Sequence, residues 1–176
     1  QRPFMHTLAD LAAGWQRLEA EVGQRAISVL VPPWNRIAPG LVPLLPEVGF
    51  HGLSTFGPRR RGRATERPYQ ANVHVDIIDW HGSRAFIGES AALGQMVAHL
   101  EARRHGHVDS TEPTGLMSHH ADHDAECWRF VEALLTRTRK HPAALWLAAT
   151  DAFNLGTNVE SDINGSPKLI QPVPHR

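Results

Sequence analysis

The stretch Thr114-Gly115-Leu116-Met117-Ser118-His119-His120-Ala121-Asp122-His123-Asp124 decides how the chain is read. A short apolar run breaks abruptly into three histidines and two aspartates, and an amphipathic helical pattern follows. A buried parallel strand reads this way when its carboxyl end carries polar side chains into a pocket. Imidazole titrates near neutral pH, so a strand-end histidine beside carboxylates suits a general acid or base, or a metal ligand. Strand alternation turns only one of His119 and His120 inward, and either can be that one. Asp122, His123 and Asp124 fit the start of the following helix, where acidic side chains complement the helix dipole. His120 and His123 are the metal-ligand candidates.

Working outward, helical spacing of Leu8, Leu11, Ala12, Trp15, Leu18 and Val22 predicts a helix over 7–22, with Thr7 as N-cap and Gly23 as its end. A β-rich run at 26–31 stops at Pro32-Pro33-Trp34-Asn35-Arg36, a stiff turn that no central strand continues through. An irregular short helix at 39–48, interrupted by Pro43 and Pro46, is predicted next, then a strand at 50–55. Residues 58–70 have no period and read as a mobile polar loop. Strand character returns at 72–80 with two aspartates, Asp76 and Asp79, ahead of Trp80. Helices are predicted at 89–104, with Ala92, Leu93, Met96, Val97 and Leu100 on one face, and at 122–140, with Cys127, Phe130, Val131, Leu134 and Leu135. Residues 143–148 are short and apolar enough to be a last strand. This alternation of helices and short apolar strands predicts an α/β fold with mostly parallel strands over 1–150, followed by an irregular tail over 151–176.

Composition narrows the function classes. The 18 basic and 18 acidic residues cancel, so no whole-chain field favours nucleic acid or an acidic membrane surface. The run Arg59-Arg60-Arg61-Gly62-Arg63 is the one dense basic patch and reads as a solvated loop. The lone Cys127 excludes an intrachain disulfide, falls on an apolar helix face and fits a small buried hydrophobe. No run approaches about 18 apolar residues, so no membrane span is expected. Neutral charge and a single free cysteine lean toward the cytoplasm.

Three strand ends, taken in order, resemble the second half of the polysaccharide deacetylase (NodB-homology) family of carbohydrate esterases. Pro33-Trp34 looks like its proline turn, Asp76-Ile77-Ile78-Asp79-Trp80 like its Asp/Trp strand end, and Leu116-Met117-Ser118-His119 like its late histidine strand. The similarity runs from about residue 25 to residue 148. It implies part of a deformed (β/α) barrel and metal-assisted removal of an acetyl group, or cleavage of a related C–N bond, on a carbohydrate-like substrate. On that pattern His119 matches the general acid, with Asp76 or Asp79 holding it. Arg36 stands in for the arginine that the family places where this chain has Val31. Trp34 and Trp80 would line the sugar groove with Pro33, Asn35 and His120, and the backbone near Trp34 would face the oxyanion.

The family's earlier Asp-Asp and His-x-x-x-His motifs do not occur here; His119 and His123 have the spacing but lie within the last motif. The expected zinc-like divalent cofactor would therefore draw its ligands from upstream of Gln1, together with several barrel strands. A barrel usually needs about 250 residues, against 176 here. The alternative function is a non-catalytic carbohydrate-binding relative lacking the metal. A third reading is a metal module built on His119, His120, His123 and Asp124.

Overall fold

The computed structural model describes residues 3–60 and 66–155. Helix α1, Phe4–Val22, starts directly after Pro3 rather than at Thr7, which lies inside it. Proline already holds the extended backbone that precedes a helix, so no hydroxyl cap is needed. Gly23, at φ 58°, ends α1 in a conformation that favours glycine. Leu8 is buried, and Leu11 and Trp15 pack against a core of Leu45, Phe50 and Leu53. Pro39–Val48 coils in 3₁₀ turns, because Pro43 and Pro46 remove the amides an α-helix would use, and Gly49 closes the segment at φ 95°.

Strands are short and every ladder is parallel: β1 Val29–Leu30, β2 Gly52–Leu53, β3 Tyr69–Gln70, β4 Val73–Asp76 and β5 Gly115–Met117. β2 lies between β1 and β3, while β4 pairs with β5. A parallel bridge from Phe56 to Val73 joins the two groups, so the strands form an open, partial sheet. Between β3 and β4 the ladder breaks at Asn72. Its side chain takes over, accepting from the Thr55 amide at 2.9 Å and donating to the Gly57 carbonyl at 2.7 Å. A bulge between Val73 and Val75 re-aims His74.

Helices α2, Glu89–Arg104, and α3, Ala125–Thr138, complete a mixed α/β architecture. A second core joins Val75, Ile77 and Ile78 to Ala92 of α2 and to Cys127, Phe130 and Leu134 of α3. Asp124 caps α3, accepting from the Cys127 amide, and also accepts from the Phe86 amide, which ties the 77–87 hairpin to the helix. Among the described residues no helix is long and apolar enough to cross a membrane.

Four further expectations change. Residues 143–148 pair with no strand; Leu145 is 84% exposed and the chain passes into the short helix α4, Ala149–Ala152. An apolar run signals burial but cannot supply a neighbouring strand to pair with. On α2 only part of the apolar stripe is buried: Ala92 and Met96 pack on the core and His99 is buried beside them, while Leu93, Val97 and Leu100 are exposed. α3 begins three residues later than the acidic run suggested, because Asp124 is the cap rather than part of the helix. Arg59, read as solvated, is buried and donates to Asp109 at 2.9 Å, Thr111 at 2.7 Å and the Gln70 carbonyl at 2.7 Å. Arg60 is exposed as expected, and residues 61–65, which hold the rest of that run, lie outside the described residues with the tail from 156.

Ile77 is fully buried whereas Leu145 is not. Ile77→Ala should cost about 2–5 kcal/mol in urea unfolding, and Leu145→Ala should stay within about 0.5 kcal/mol. A comparable loss at both positions would mean that residues 143–148 belong to the core after all.

Candidate functional site

Parallel pairing brings the carboxyl ends of β4 and β5 side by side, with Asp76 opposite Met117. Two residues beyond Met117, the His119 ring turns back, and its Nε2 lies 3.4 Å from Asp76 Oδ1. The other oxygen of Asp76 accepts from Trp80 Nε1 at 2.9 Å. Trp80 also meets the His119 ring edge to face, with centroids 4.7 Å apart. Carboxylate, imidazole and indole therefore share one group, and their side chains remain partly open to solvent. Nε2 of His119 is buried with no hydrogen-bond partner beyond its 3.4 Å approach to Asp76.

Backbone holds this group in place. Gln95 of α2 brackets Asp76: its Oε1 accepts from the Asp76 amide at 2.9 Å and its Nε2 donates to the Asp76 carbonyl at 3.2 Å. The Ile78 amide donates to Asp76 Oδ1 at 3.1 Å. His123 accepts the His119 amide through Nε2 at 3.1 Å, and burial together with the nearby His119 keeps His123 below its ordinary pKa. Its ring stands edge to face on Trp128, so it braces the turn.

Other candidates sit elsewhere. Asp79 turns away from His119 and accepts from the Gly82 and Ser83 amides, closing the hairpin turn; the Ser83 and other backbone bonds hold its carboxyl low. Of the two aspartates left open by the sequence, Asp76 is therefore the partner of His119. Asn35 reaches the strand end, donating to Met117 Sδ at 3.2 Å. Trp34 is 88% exposed, at φ 58°, and Pro33, Arg36 and His120 are exposed as well. Among the described residues none of these four makes a hydrogen bond, ion pair or ring contact with Asp76, Trp80 or His119. An open depression on the outer face of α3, lined by Trp128, Val131 and Leu135, contains none of the candidates.

Sequence reasoning missed a second cluster. His74 on the β4 bulge, His99 on α2 and Glu112 ahead of β5 are all buried and bring one donor atom each within 4.8 Å of one another, so the cluster can hold a metal ion. The His74 and His99 rings stack at 3.4 Å. Burial and His74 push His99 down to about 4. Burial raises Glu112, but His74 and the amides of Arg59 and Asn72 outweigh it and hold the carboxyl below its usual value. Asp109 is likewise pushed up by burial yet drawn down to about 2 by Thr111 and Arg59. Each of these residues is isolated in sequence, and His99 looks like an ordinary polar position in a helix, so no spacing signal marks the group.

No family model, curated protein or solved structure matches the chain. The site is defined by its geometry: a histidine–carboxylate pair walled by an indole at adjacent parallel strand ends.

The buried titrating groups dictate an acid profile. Folded His99 at about 4 lies below its ordinary 6.5, so the unfolded chain binds the extra proton between those values and stability falls as pH drops through them. Asp109, at about 2 against 3.8, continues the loss below pH 4 with the same sign. Urea midpoints measured in chelator should be flat above about pH 6.5 and decline below it. His99→Gln should remove the first part of that decline, whatever it does to the plateau.

Proposed function

We propose that the protein is a hydrolase of the polysaccharide deacetylase type, releasing an acetyl group from a carbohydrate-like substrate, on a domain built as part of a deformed (β/α) barrel. One observation carries the proposal: Asp76, Trp80 and His119, drawn from two separate motifs of the resemblance, converge on one another. In this reading His119 is the general acid. As the acid the ring is an imidazolium: Asp76 faces Nε2–H, Nδ1–H passes its proton to the departing amine or alkoxide, and the neutral ring that remains keeps its proton on Nε2. Trp80 pins the far oxygen of Asp76 and presents its face as one wall of a sugar groove, with the Arg84 guanidinium 5.8 Å from the ring.

The resemblance also calls for a divalent metal. Next to His119 the donors are already engaged: Asp76 by Trp80 and Ile78, and His123 Nε2 by the His119 amide. They do not make a ligand set for an ion, and no step is routed through one. The part that this chain's own residues play is the leaving-group proton and the positioning of the acid.

Acetate release from N-acetylglucosamine oligomers, followed with the intact chain in zinc-containing buffer, tests the reading. His119→Ala should lower turnover by roughly 10²–10⁴-fold, the usual weight of a positioned acid. Asp76→Asn should also slow it, whereas Asp79→Ala should leave it unchanged. Oligomer binding without any acetate release would support the carbohydrate-binding alternative, and equal turnover in the His119 variant would end the proposal.

A further inference from the structure

We propose that His74, His99 and Glu112 form a buried binding site for a zinc-class divalent ion, separate from the His119 group and structural in role. The site joins three elements that the chain must hold together: the bulged strand β4, helix α2 and the loop entering β5. His74 and His99 are 8% and 7% exposed, and Glu112 is fully buried. Nε2 of both imidazoles is buried without a hydrogen-bond partner, and both belong to the same cluster as the carboxylate. Buried polar atoms are satisfied in most folded proteins, so two nitrogens without a hydrogen bond beside one carboxylate, only that of His74 in ion-pair range of it at 3.5 Å, mark a missing partner.

The surroundings resemble the outer support of a metal site. His99 Nδ1 lies 3.0 Å from Thr114 Oγ1, which also accepts from Arg103 Nη1 at 3.2 Å. With its proton on Nδ1, His99 has a free lone pair on Nε2. The two Glu112 oxygens are oriented by the Arg59 amide at 2.8 Å and the Asn72 amide at 3.0 Å. Such outer bonds fix ligand orientation and raise ligand basicity.

His74 sets the choice of ion. The Gly115 amide donates to its Nδ1 at 3.1 Å, so the ring's own proton sits on Nε2, 3.5 Å from Glu112. An ion that uses this nitrogen requires the other tautomer: the proton passes from Nε2 to Nδ1 by exchange with solvent, and the Gly115 amide gives up its bond to the ring. Zinc and copper bind neutral imidazole strongly enough to offset that lost bond; magnesium and calcium, which prefer oxygen donors, do not. Burial leaves no opening for a substrate, which makes the role structural.

The test starts with the intact chain stripped by chelator and then supplied with zinc, cobalt or magnesium. After buffer exchange, elemental analysis should find zinc retained at one ion per chain with a raised melting temperature, and no retained magnesium. His99→Ala and Glu112→Gln should abolish retention, Thr114→Val should weaken it by roughly 10–100-fold, and His123→Ala should leave it intact. X-ray absorption on the zinc-loaded wild type, which needs no variant to fold, should show two imidazole nitrogens and carboxylate oxygen. No retention by the wild type, retention that survives His99→Ala, loss in His123→Ala, or a ligand shell without imidazole would each overturn the proposal.

Discussion

The parallel pairing of β4 with β5 is the contact on which the candidate chemistry depends. It aligns Asp76 with Met117 and so brings His119, just past the strand, against a carboxylate 43 positions earlier in the chain. Gly115 makes the approach possible, since a Cβ there would run into the Asn72 carbonyl and the Val73 backbone. Behind the pair, Val75, Ile77, Cys127 and Phe130 form the apolar mass that keeps both strand ends still. Without that packing the His119 ring would be one more side chain on a loop.

A second constraint acts beneath the first. Glu112 is fully buried yet held as a carboxylate, because it accepts amides from Arg59 and Asn72 and faces His74. Taking a charge out of water is unfavourable unless hydrogen bonds replace the lost solvation. Here they do, and in doing so they join the loop after β2, the break between β3 and β4, and the approach to β5. Arg59 repeats the arrangement with Asp109 and Thr111. The two polar knots lie where the sheet is interrupted, and they supply order that the ladders do not.

Helix periodicity was the most legible part of the chain. Residues 89–104 and the 3₁₀ segment at 39–48 have the limits their patterns suggest, because caps, prolines and glycines act locally. Strands were less legible: β1 and β2 are two residues each, and 143–148 has strand composition without a strand beside it. Within the site, the Asp76-to-Trp80 and Leu116-to-His119 motifs pointed to residues that meet, but they left Asp76 and Asp79 equivalent. Only the hairpin turn, which recruits Asp79 to its own amides, separates them.

The order of residues by itself determined which segments are helical, where turns must fall, that the chain is a mixed α/β protein and that polar chemistry follows its strands. Those properties come from near-neighbour sterics and from hydrophobic period, both of which a linear string records. Tertiary structure alone decided which aspartate faces His119, which side of α2 is buried, and that His74, His99 and Glu112 meet. These outcomes depend on pairing register, a one-residue bulge and the burial of charge, and each is set by contacts between residues far apart in the chain.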